Sequence, residues 1–307
     1  MAKHSNAFEF NEERSVTNRP TILLVAPTYY DVSYSINPWM DPAAWARDPG
    51  GMHRHATASF DALRVALDEA GFAVEVAEGA PGQPDMVFPA NAAVVLDGKA
   101  VLARFRYPQR RGEEQPFAGI FENLRARGLI NEVALLPEGC YQEGAGDCIW
   151  DARLGHFWAG FGPRSSHEAA HAMAAHFGQE VVALELATEQ SYHLDVCFCP
   201  LAGGEVLYYP PAFTEAALKV LRARVPAALR IEASADDLRH FSVNAVNLDD
   251  QVVMTRTTPH LRQELGRRGY QLHEVDLAPY MMSGGGAYCM TLRLDRTSTP
   301  VHRAAAA

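Results

Sequence analysis

The segment YHLDVCFCPLAGGEVLYYP, Tyr192 to Pro210, carries the reading that decides the fold. It opens on a polar cluster, runs through β-branched and aromatic residues, breaks at Gly203-Gly204 and resumes as a second β-rich run. That pattern is a hairpin signal. The same grammar recurs on both sides. Upstream lie FPANAAVVLDGKAVLARF (Phe88 to Phe105) and EGAGDCIWDARLGHFWAGFG (Glu143 to Gly162); downstream lie FSVNAVNLDDQVVMT (Phe241 to Thr255) and SGGGAYCMTLRL (Ser283 to Leu294). An opening β-rich run, TILLVAPTYYDV, occupies Thr21 to Val32. Asn91, Asp147, Asp195, Asn244 and Cys289 follow one another at intervals of 45 to 56 residues.

Between the hairpins lie stretches with apolar residues at helical spacing: ATASFDALRVALDEAGF, GIFENLRARG, SHEAAHAMAAHFG, TEAALKVLRARV and HLRQELGRRGY. A hairpin-plus-helix unit cannot bury its apolar faces alone, so about five of them should close around a shared core. Closure would bring the polar residues that open the hairpins toward one axis. A mixed α/β fold without internal symmetry gives similar local patterns.

The chain has 307 residues, 48% of them hydrophobic, and carries 27 Lys+Arg against 37 Asp+Glu, a formal net charge of −10. Such a chain repels phosphate backbones and has no basic block to offset that, which argues against nucleic acid as a partner. No stretch reaches the roughly 20 apolar residues of a membrane span, and MAKHSNAFEFNEERSVTNRP has neither a signal-peptide core nor transit-peptide composition. A cytoplasmic protein is expected. Five cysteines at 140, 148, 197, 199 and 289 form no disulfide framework and suit reduced thiols. Residues 1–20 and 295–307 read as flexible ends, and 21–294 as one domain.

Several residues carry chemistry. Cys289 follows Ser283-Gly-Gly-Gly-Ala-Tyr; glycines let backbone approach a ligand and can aim several N–H groups at one place, which makes this thiol the candidate nucleophile. The other four cysteines read as core. His193 and Asp195 form His-x-Asp; on a strand they would share a face and point into one cavity. Glu143, buried in EGAGD, would need a cationic partner such as a guanidinium. His167-Glu168-Ala169-Ala170-His171 matches the helical zinc motif HExxH, but Ser165 and Glu168 also form a capping-box pattern that accounts for the Glu, and no third ligand follows at metalloprotease spacing. No metal and no cofactor are expected. The chain carries no phosphate loop or dinucleotide fingerprint, since the glycine run precedes no helix.

Taken together, INPWM (Ile36 to Met40), PDMVFPANA (Pro84 to Ala92), EGAGD (Glu143 to Asp147), YHLDVCFCPL (Tyr192 to Leu201) and the Gly-rich run ending at Cys289 resemble the guanidino-group-modifying superfamily of arginine deiminases, dimethylarginine dimethylaminohydrolases, amidinotransferases and arginine dihydrolases. The similarity is greatest to the catalytic domain of bacterial arginine dihydrolases, and it covers Thr21 to Leu294. The resemblance implies a five-bladed pseudo-symmetric α/β propeller (pentein fold) with a Cys-His-acid centre acting on a small guanidino substrate. It implies Cys289 as nucleophile, His193 as acid/base, and Glu143 and Asp195 as carboxylates that hold the guanidinium and orient His193. Asn91, Asn37, Asp147 and Gly285 would line the pocket, and Arg164 and Arg104 would clamp the substrate α-carboxylate. Asn stands at 91 where deiminases carry Asp. A neutral amide discriminates less between cationic arginine and neutral citrulline, so removal of both nitrogens, giving ornithine, carbon dioxide and two ammonia, is expected. A deiminase, a methylarginine hydrolase, an amidinotransferase and, from another class, a zinc hydrolase are the alternatives. Pro89 departs from the pattern, and the chain ends soon after Leu294, without the C-terminal domain some dihydrolases carry. A homo-oligomer is left open.

Overall fold

Five three-stranded sheets are built on one plan in the computed structural model, which describes residues 19–299. In each, the middle strand pairs antiparallel with one neighbour and parallel with the other. Four sheets are continuous in sequence. The first contains β3 (Ala93–Leu96), β4 (Lys99–Leu102) and β5 (Glu132–Leu135); the second β6 (Cys148–Asp151), β7 (His156–Phe161) and β8 (Val181–Glu185). The third holds β9 (Phe198–Pro200), β10 (Val206–Tyr208) and β11 (Arg230–Glu232); the fourth β12 (Val246–Leu248), β13 (Gln251–Met254) and β14 (Gln271–Glu274). The fifth joins the two ends of the described chain: β1 (Thr21–Val25) pairs parallel with β2 (Ala73–Ala77) and antiparallel with β15 (Leu292–Arg293). The five-bladed α/β propeller of the pentein fold is therefore present.

Local chemistry explains the repeat. Asp97 and Gly98 both take positive φ, 54° and 70°, so β3 and β4 are joined by the two-residue turn whose twist suits a hairpin. A parallel pair needs a long crossover, and each sheet supplies a helix for it: α1 (Pro49–Glu69), α2 (Glu114–Ala126), α3 (Glu168–Phe177), α4 (Glu215–Arg224) and α5 (Pro259–Arg267). Asp48, Thr214 and Thr258 accept hydrogen bonds from first-turn N–H groups at the starts of α1, α4 and α5. The apolar stripe of each helix packs on its own sheet, as Phe117, Phe121 and Leu124 of α2 do in the cluster that holds Val95, Ala100 and Leu102.

The inner strands β3, β6, β12 and β15 line one small cavity with Tyr288, and Tyr288 packs against three of the core clusters. Tyr288 thus fills the axis on one side of the ring, immediately beside Cys289. The outer strands β5 and β14 are half-exposed or exposed along their length. No helix among the described residues is long and apolar enough to cross a membrane.

Three expectations need correction. SGGGAYCMTLRL is not a hairpin: its strand, β15, finds its partner in β1, because the polypeptide that completes this sheet comes from the other end of the described chain. The Ser165–Glu168 capping box does not form; His167 is the cap residue of α3, without a side-chain cap bond, and the Ser165 hydroxyl is used by two acidic residues instead. The stretch from 295 was expected to be loose, yet the Asp97 N–H donates to Arg296 O at 2.8 Å, Arg296 Nη1 to Trp150 O at 2.7 Å, and Ser298 N–H to Asp97 Oδ1 at 2.7 Å. Residues 1–18 and 300–307, the rest of the expected flexible ends, lie outside the described residues.

Candidate active site

Each inner strand is preceded by one tight turn, and that turn presents a polar group. Pro89–Asn91 and Gly144–Gly146 are 3-10 turns, Leu194–Cys197 is one turn of α-helix, and Phe241–Asn244 and Ala287–Met290 are turns. Pro89, the departure noted in the sequence, occupies the first position of its turn, where its fixed φ and missing N–H cost nothing. Backbones come very close here. Gly144, at φ +65°, has no room for a Cβ, which would lie 2.3 Å from Ala90 O.

His193 and Asp195 were expected on a strand, side by side. The helical turn separates them instead. His193 caps it with extended backbone, and its Nε2 lies 2.7 Å from Glu143 Oε2. Asp195, in the first turn, reaches the other way: its Oδ2 accepts from Cys289 Sγ at 3.1 Å. The orienting carboxylate for His193 is thus Glu143, not Asp195. Asp195 Oδ1 is also buried and has no formed hydrogen bond. Burial pushes the Asp195 carboxyl up to about 7, against the opposing pull of its bonds to Cys289 and Asn244. Burial, and then the Asp195 charge, likewise hold the Cys289 thiol well above its ordinary value. In the resting arrangement the proton stays on sulfur and points at Asp195.

Glu143 is fully buried. Its Oε2 accepts from Arg164 Nη1 (3.1 Å) as well as His193, and its Oε1 from the Arg106 N–H (3.2 Å). Burial alone would raise its pKa, but Arg164 and His193 outweigh it and hold the carboxyl well below the usual range. The Arg164 guanidinium lies between the rings of Tyr107 and Tyr192, at 4.5 and 4.7 Å, and Nη2 donates to Ile36 O at 3.0 Å. Asn37 sits beside it in the chain and donates to Ser283 O at 3.0 Å. Trp39 Nε1 donates to Gln190 O, and its ring packs on Phe241. The INPWM segment therefore straps three blades together above the turns. Cys289, His193, Asp195, Asn91 and Arg164 are each at most 3% exposed beneath it.

Other expected residues fall elsewhere. Arg104 donates to the carbonyls of Leu136 and Pro137 and is half-buried away from this cluster; its side chain is held by the loop leading to Glu143. Asp147 is present but spent: Oδ1 holds the Leu194 N–H (2.9 Å) and Oδ2 the Ser165 hydroxyl (2.6 Å), so it fixes the His193 turn rather than facing a ligand. Burial raises its carboxyl to about 6. Gly285 serves packing, since a Cβ there would meet the Phe88 ring at 2.2 Å. The N–H groups of residues 283 to 285 all go to the carbonyls of Tyr280 and Met281, and the amide aimed at the Cys289 sulfur is that of Gly286. In the HEAAH segment the His167 and His171 rings lie 5.8 Å apart, and His167 packs edge-on against Phe161. Among the described residues no three His, Cys, Asp or Glu side chains converge as a metal site. All five cysteines are free and buried, and Cys140, Cys148, Cys197 and Cys199 lie in core clusters.

Two further groups belong to the cluster. Asn244 Nδ2 donates to Cys289 Sγ (3.1 Å) and to Asp195 O (3.0 Å), and its Oδ1 accepts the Cys289 N–H (3.1 Å). Its signal was its place in the spacing series. Arg110, 3% exposed, donates from Nη1 to Asn91 Oδ1 at 2.8 Å and forms a two-pronged pair with Glu113. Nothing in RYPQRR distinguishes it from its neighbours, and only the fold reveals which arginine turns inward.

Comparison with known proteins identifies the family. A family model described as N,N dimethylarginine dimethylhydrolase, eukaryotic, matches residues 42–296. The bifunctional arginine dihydrolase/ornithine cyclodeaminase ArgZ of Synechocystis sp. is 38% identical over 283 residues, which is 91% of this chain and 38% of that protein. An N(G),N(G)-dimethylarginine dimethylaminohydrolase of Mycobacterium tuberculosis is 33% identical over 271 residues, 88% of this chain and 84% of the relative. Among solved structures, the N-terminal domain of ArgZ bound to substrate superimposes with a TM-score of 0.83 at 37% identity, covering 91% of this chain and 99% of that domain. The chain spans well under half the length of the bifunctional relatives it matches.

Proposed function

The chain belongs to the dimethylarginine dimethylaminohydrolase family of the guanidino-group-modifying superfamily, and from that premise we propose that it hydrolyses both terminal guanidino nitrogens of L-arginine. The reaction, arginine plus two water giving ornithine, carbon dioxide and two ammonia, balances without a redox partner. The observation that supports it most is the buried thiol of Cys289 donating to Asp195, with the second Asp195 oxygen unbonded and Asn91, not a carboxylate, across the same space. A Cβ on Gly146 would lie 2.3 Å from Asn91 Nδ2 and 3.7 Å from Asp195 Oδ2, so amide and carboxylate border the same space beside Gly146.

In this reading a guanidinium enters against Asp195, whose free oxygen accepts one of its N–H groups. The added positive charge favours the thiolate: the thiol gives up its proton to Asp195, which passes it on to His193, as Sγ attacks the guanidinium carbon. His193, oriented by Glu143, protonates the departing amine and then takes a proton from the attacking water. Asn244 and the Gly286 amide stabilise negative charge on sulfur. Arg164 leaves Ile36 O and Glu143 to meet the α-carboxylate, for which its planar fork is well shaped. With Arg164 released, the INPWM segment loosens, which gives substrate its way in. Asn91 supplies neutral hydrogen bonds, so citrulline is held nearly as well as arginine and stays for the second attack. The free thiols suit a reducing compartment, and we place the enzyme in the cytoplasm.

The test is to incubate the protein with L-arginine and quantify ammonia, citrulline and ornithine over time. Two ammonia and one ornithine per arginine support the reading. Accumulating citrulline with one ammonia would make it a deiminase, and turnover of methylated arginine alone would make it a methylarginine hydrolase. Retention of turnover in Cys289→Ser would remove the covalent mechanism altogether.

A further inference from the structure

We infer that the cavity on the propeller axis binds a chloride-sized monovalent anion, held by Arg296 together with the Trp150 indole N–H and the Tyr288 hydroxyl. The cavity is bounded by the inner strands β3, β6, β12 and β15 and by Tyr288, and no residue of the INPWM strap lines it. Among the described residues no Asp or Glu lines it either, whereas Arg293 and Arg296 both do. In a chain of net charge −10, that is a local reversal of sign.

Arg296 bridges two blades. Its carbonyl accepts from the Asp97 N–H in the β3–β4 turn at 2.8 Å, and its Nη1 donates to Trp150 O on β6 at 2.7 Å. That is one side-chain hydrogen bond for a group with five N–H donors. The nearby carboxylate, Asp295, is taken by Arg293 at 2.7 and 2.9 Å, and no other carboxylate among the described residues lies within 4 Å of Arg296. Burial above all holds the Arg296 guanidinium below its ordinary value. This cation lacks a counter-charge.

Two neutral donors share the space. Trp150 is 3% exposed, and its Nε1 is buried without a hydrogen-bond partner. The contrast is Trp158 on β7, whose Nε1 reaches Asp151 Oδ2 at 3.0 Å. A buried N–H without an acceptor is costly and calls for one. The Tyr288 hydroxyl also has no partner among the described residues. Burial raises its pKa and the Arg296 charge pulls it back, so the two groups are close. The other polar liners are spent. Asn247 bonds the Ala202 N–H and the carbonyls of Asp249 and Gln251, and the Thr291 hydroxyl bonds Tyr288 O.

The free space matches about one or two water molecules, which admits a halide and excludes sulfate, phosphate or an organic acid. Water could satisfy the indole N–H but would leave the guanidinium uncompensated; a halide does both. Arg296 is half-buried, so an ion reaches it from solvent without disturbing the strap. Tyr288 N–H donates to Asn244 O at 3.3 Å, and the next residue is Cys289. An ion that fixes the Tyr288 hydroxyl therefore steadies the turn that carries the thiol.

The test is read without arginine and is independent of the proposed reaction. The 35Cl line width of sodium chloride is measured with the intact protein, with bromide and sulfate as competitors. Melting midpoints are compared in chloride and gluconate at equal ionic strength. The wild type should broaden the line, and bromide but not sulfate should reverse the broadening. Its midpoint should rise by about 4 °C at a chloride concentration roughly tenfold above half-saturation. Arg296→Gln should abolish both effects. Trp150→Phe removes only the N–H and keeps the ring contact with Phe157, so it provides a folded variant in which half-saturation should need roughly fivefold more chloride. Iodoacetamide should modify Cys289 roughly twofold more slowly in chloride than in gluconate; equal rates would overturn the link to the thiol. A wild-type line no broader than that of Arg296→Gln would assign the space to water and overturn the site. So would an unchanged chloride response in Trp150→Phe, or sulfate competing as well as bromide.

Discussion

Glu143→Gln isolates what one buried carboxylate does here. The substitution keeps the shape of the side chain and removes its charge. Both Glu143 oxygens face donors only: Oε2 accepts from His193 Nε2 and Arg164 Nη1, and Oε1 from the Arg106 N–H. A glutamine has one acceptor and one donor end, so whichever way it turns, an NH2 group meets an N–H. The less costly choice keeps the oxygen toward His193 and Arg164 and sets the NH2 against the Arg106 amide, while Arg164 at 2% exposure loses its only carboxylate partner within 4 Å among the described residues. Removing one member of a buried ion pair costs about 3–5 kcal/mol. The retained acceptor places this case near 3. At about 2–4 °C per kcal/mol for a chain of this size class, the midpoint should fall by roughly 6–12 °C.

The sign with pH follows from the depressed Glu143 pKa. A carboxyl held below its unfolded value contributes stability that is complete above the unfolded pKa of about 4.3, and that is lost as pH falls through the folded value. The wild-type and Glu143→Gln melting curves should therefore differ fully at pH 7, begin to approach one another below about pH 4, and meet only as pH falls through the depressed folded value. His193 loses its charged anchor as well, so kcat should fall roughly 10²–10⁴-fold, the range of an acid/base contribution. Differential scanning fluorimetry across pH, with ammonia release at pH 7.5, makes the measurement. A midpoint within 2 °C of wild type at pH 7, with kcat intact, would refute the reasoning.

Four other outcomes are expected. Asn91→Asp places a carboxylate where an amide stood; a charged hydrogen bond exceeds a neutral one by about 1 kcal/mol, so citrulline should be released roughly five- to tenfold more readily and dominate the products by chromatography. The acid limb of kcat/KM should bend near pH 7, where Asp195 becomes protonated and can no longer accept the thiol proton; Asp195→Asn should abolish that bend, and a bend left in place assigns it to another group. Gly286→Ala brings a Cβ to 2.9 Å from Asn244 Oδ1, so kcat should drop at least tenfold with an unchanged circular dichroism spectrum. Trp39→Ala removes the bond to Gln190 O and the ring contact with Phe241, and Cys289 should then react with iodoacetamide several-fold faster, as read by mass spectrometry.

The fold was legible because four of the sheets write one signature: a β-rich run, a turn of two to five residues, a second run and an amphipathic helix. Four of the five sheets are local in sequence and could be read directly. The fifth could not, since β15 has two residues and a partner 269 positions away, between Leu23 and Leu292, and no local pattern announces such a pairing. Polar residues opening the strands were visible as misfits in a β core, but their backbone was misread. His193-Leu194-Asp195 alternates like a strand, and it winds into a turn because Asp147 captures the Leu194 N–H. That tertiary bond reassigns the partner of His193 from Asp195 to Glu143. Arginines were the least readable: a side chain that long can serve a loop carbonyl, as Arg104 does, or a buried amide, as Arg110 does, and the choice depends on where the backbone carries its Cα.

The pairing of β1 with β15 also bears on when the molecule becomes reactive. Cys289 lies three residues before β15, so the strand that fixes the nucleophile's turn leaves the ribosome after every other described strand, whereas β1 precedes them all. Bringing them together closes the longest loop in the fold, a step whose entropy must be met before the contact returns anything. The other four blades can assemble during synthesis and shape most of the pocket without the thiol. Chemistry is thereby withheld until β15 has been made, and a nascent chain stalled before residue 289 carries His193, Glu143 and Asp195 but cannot attack its substrate.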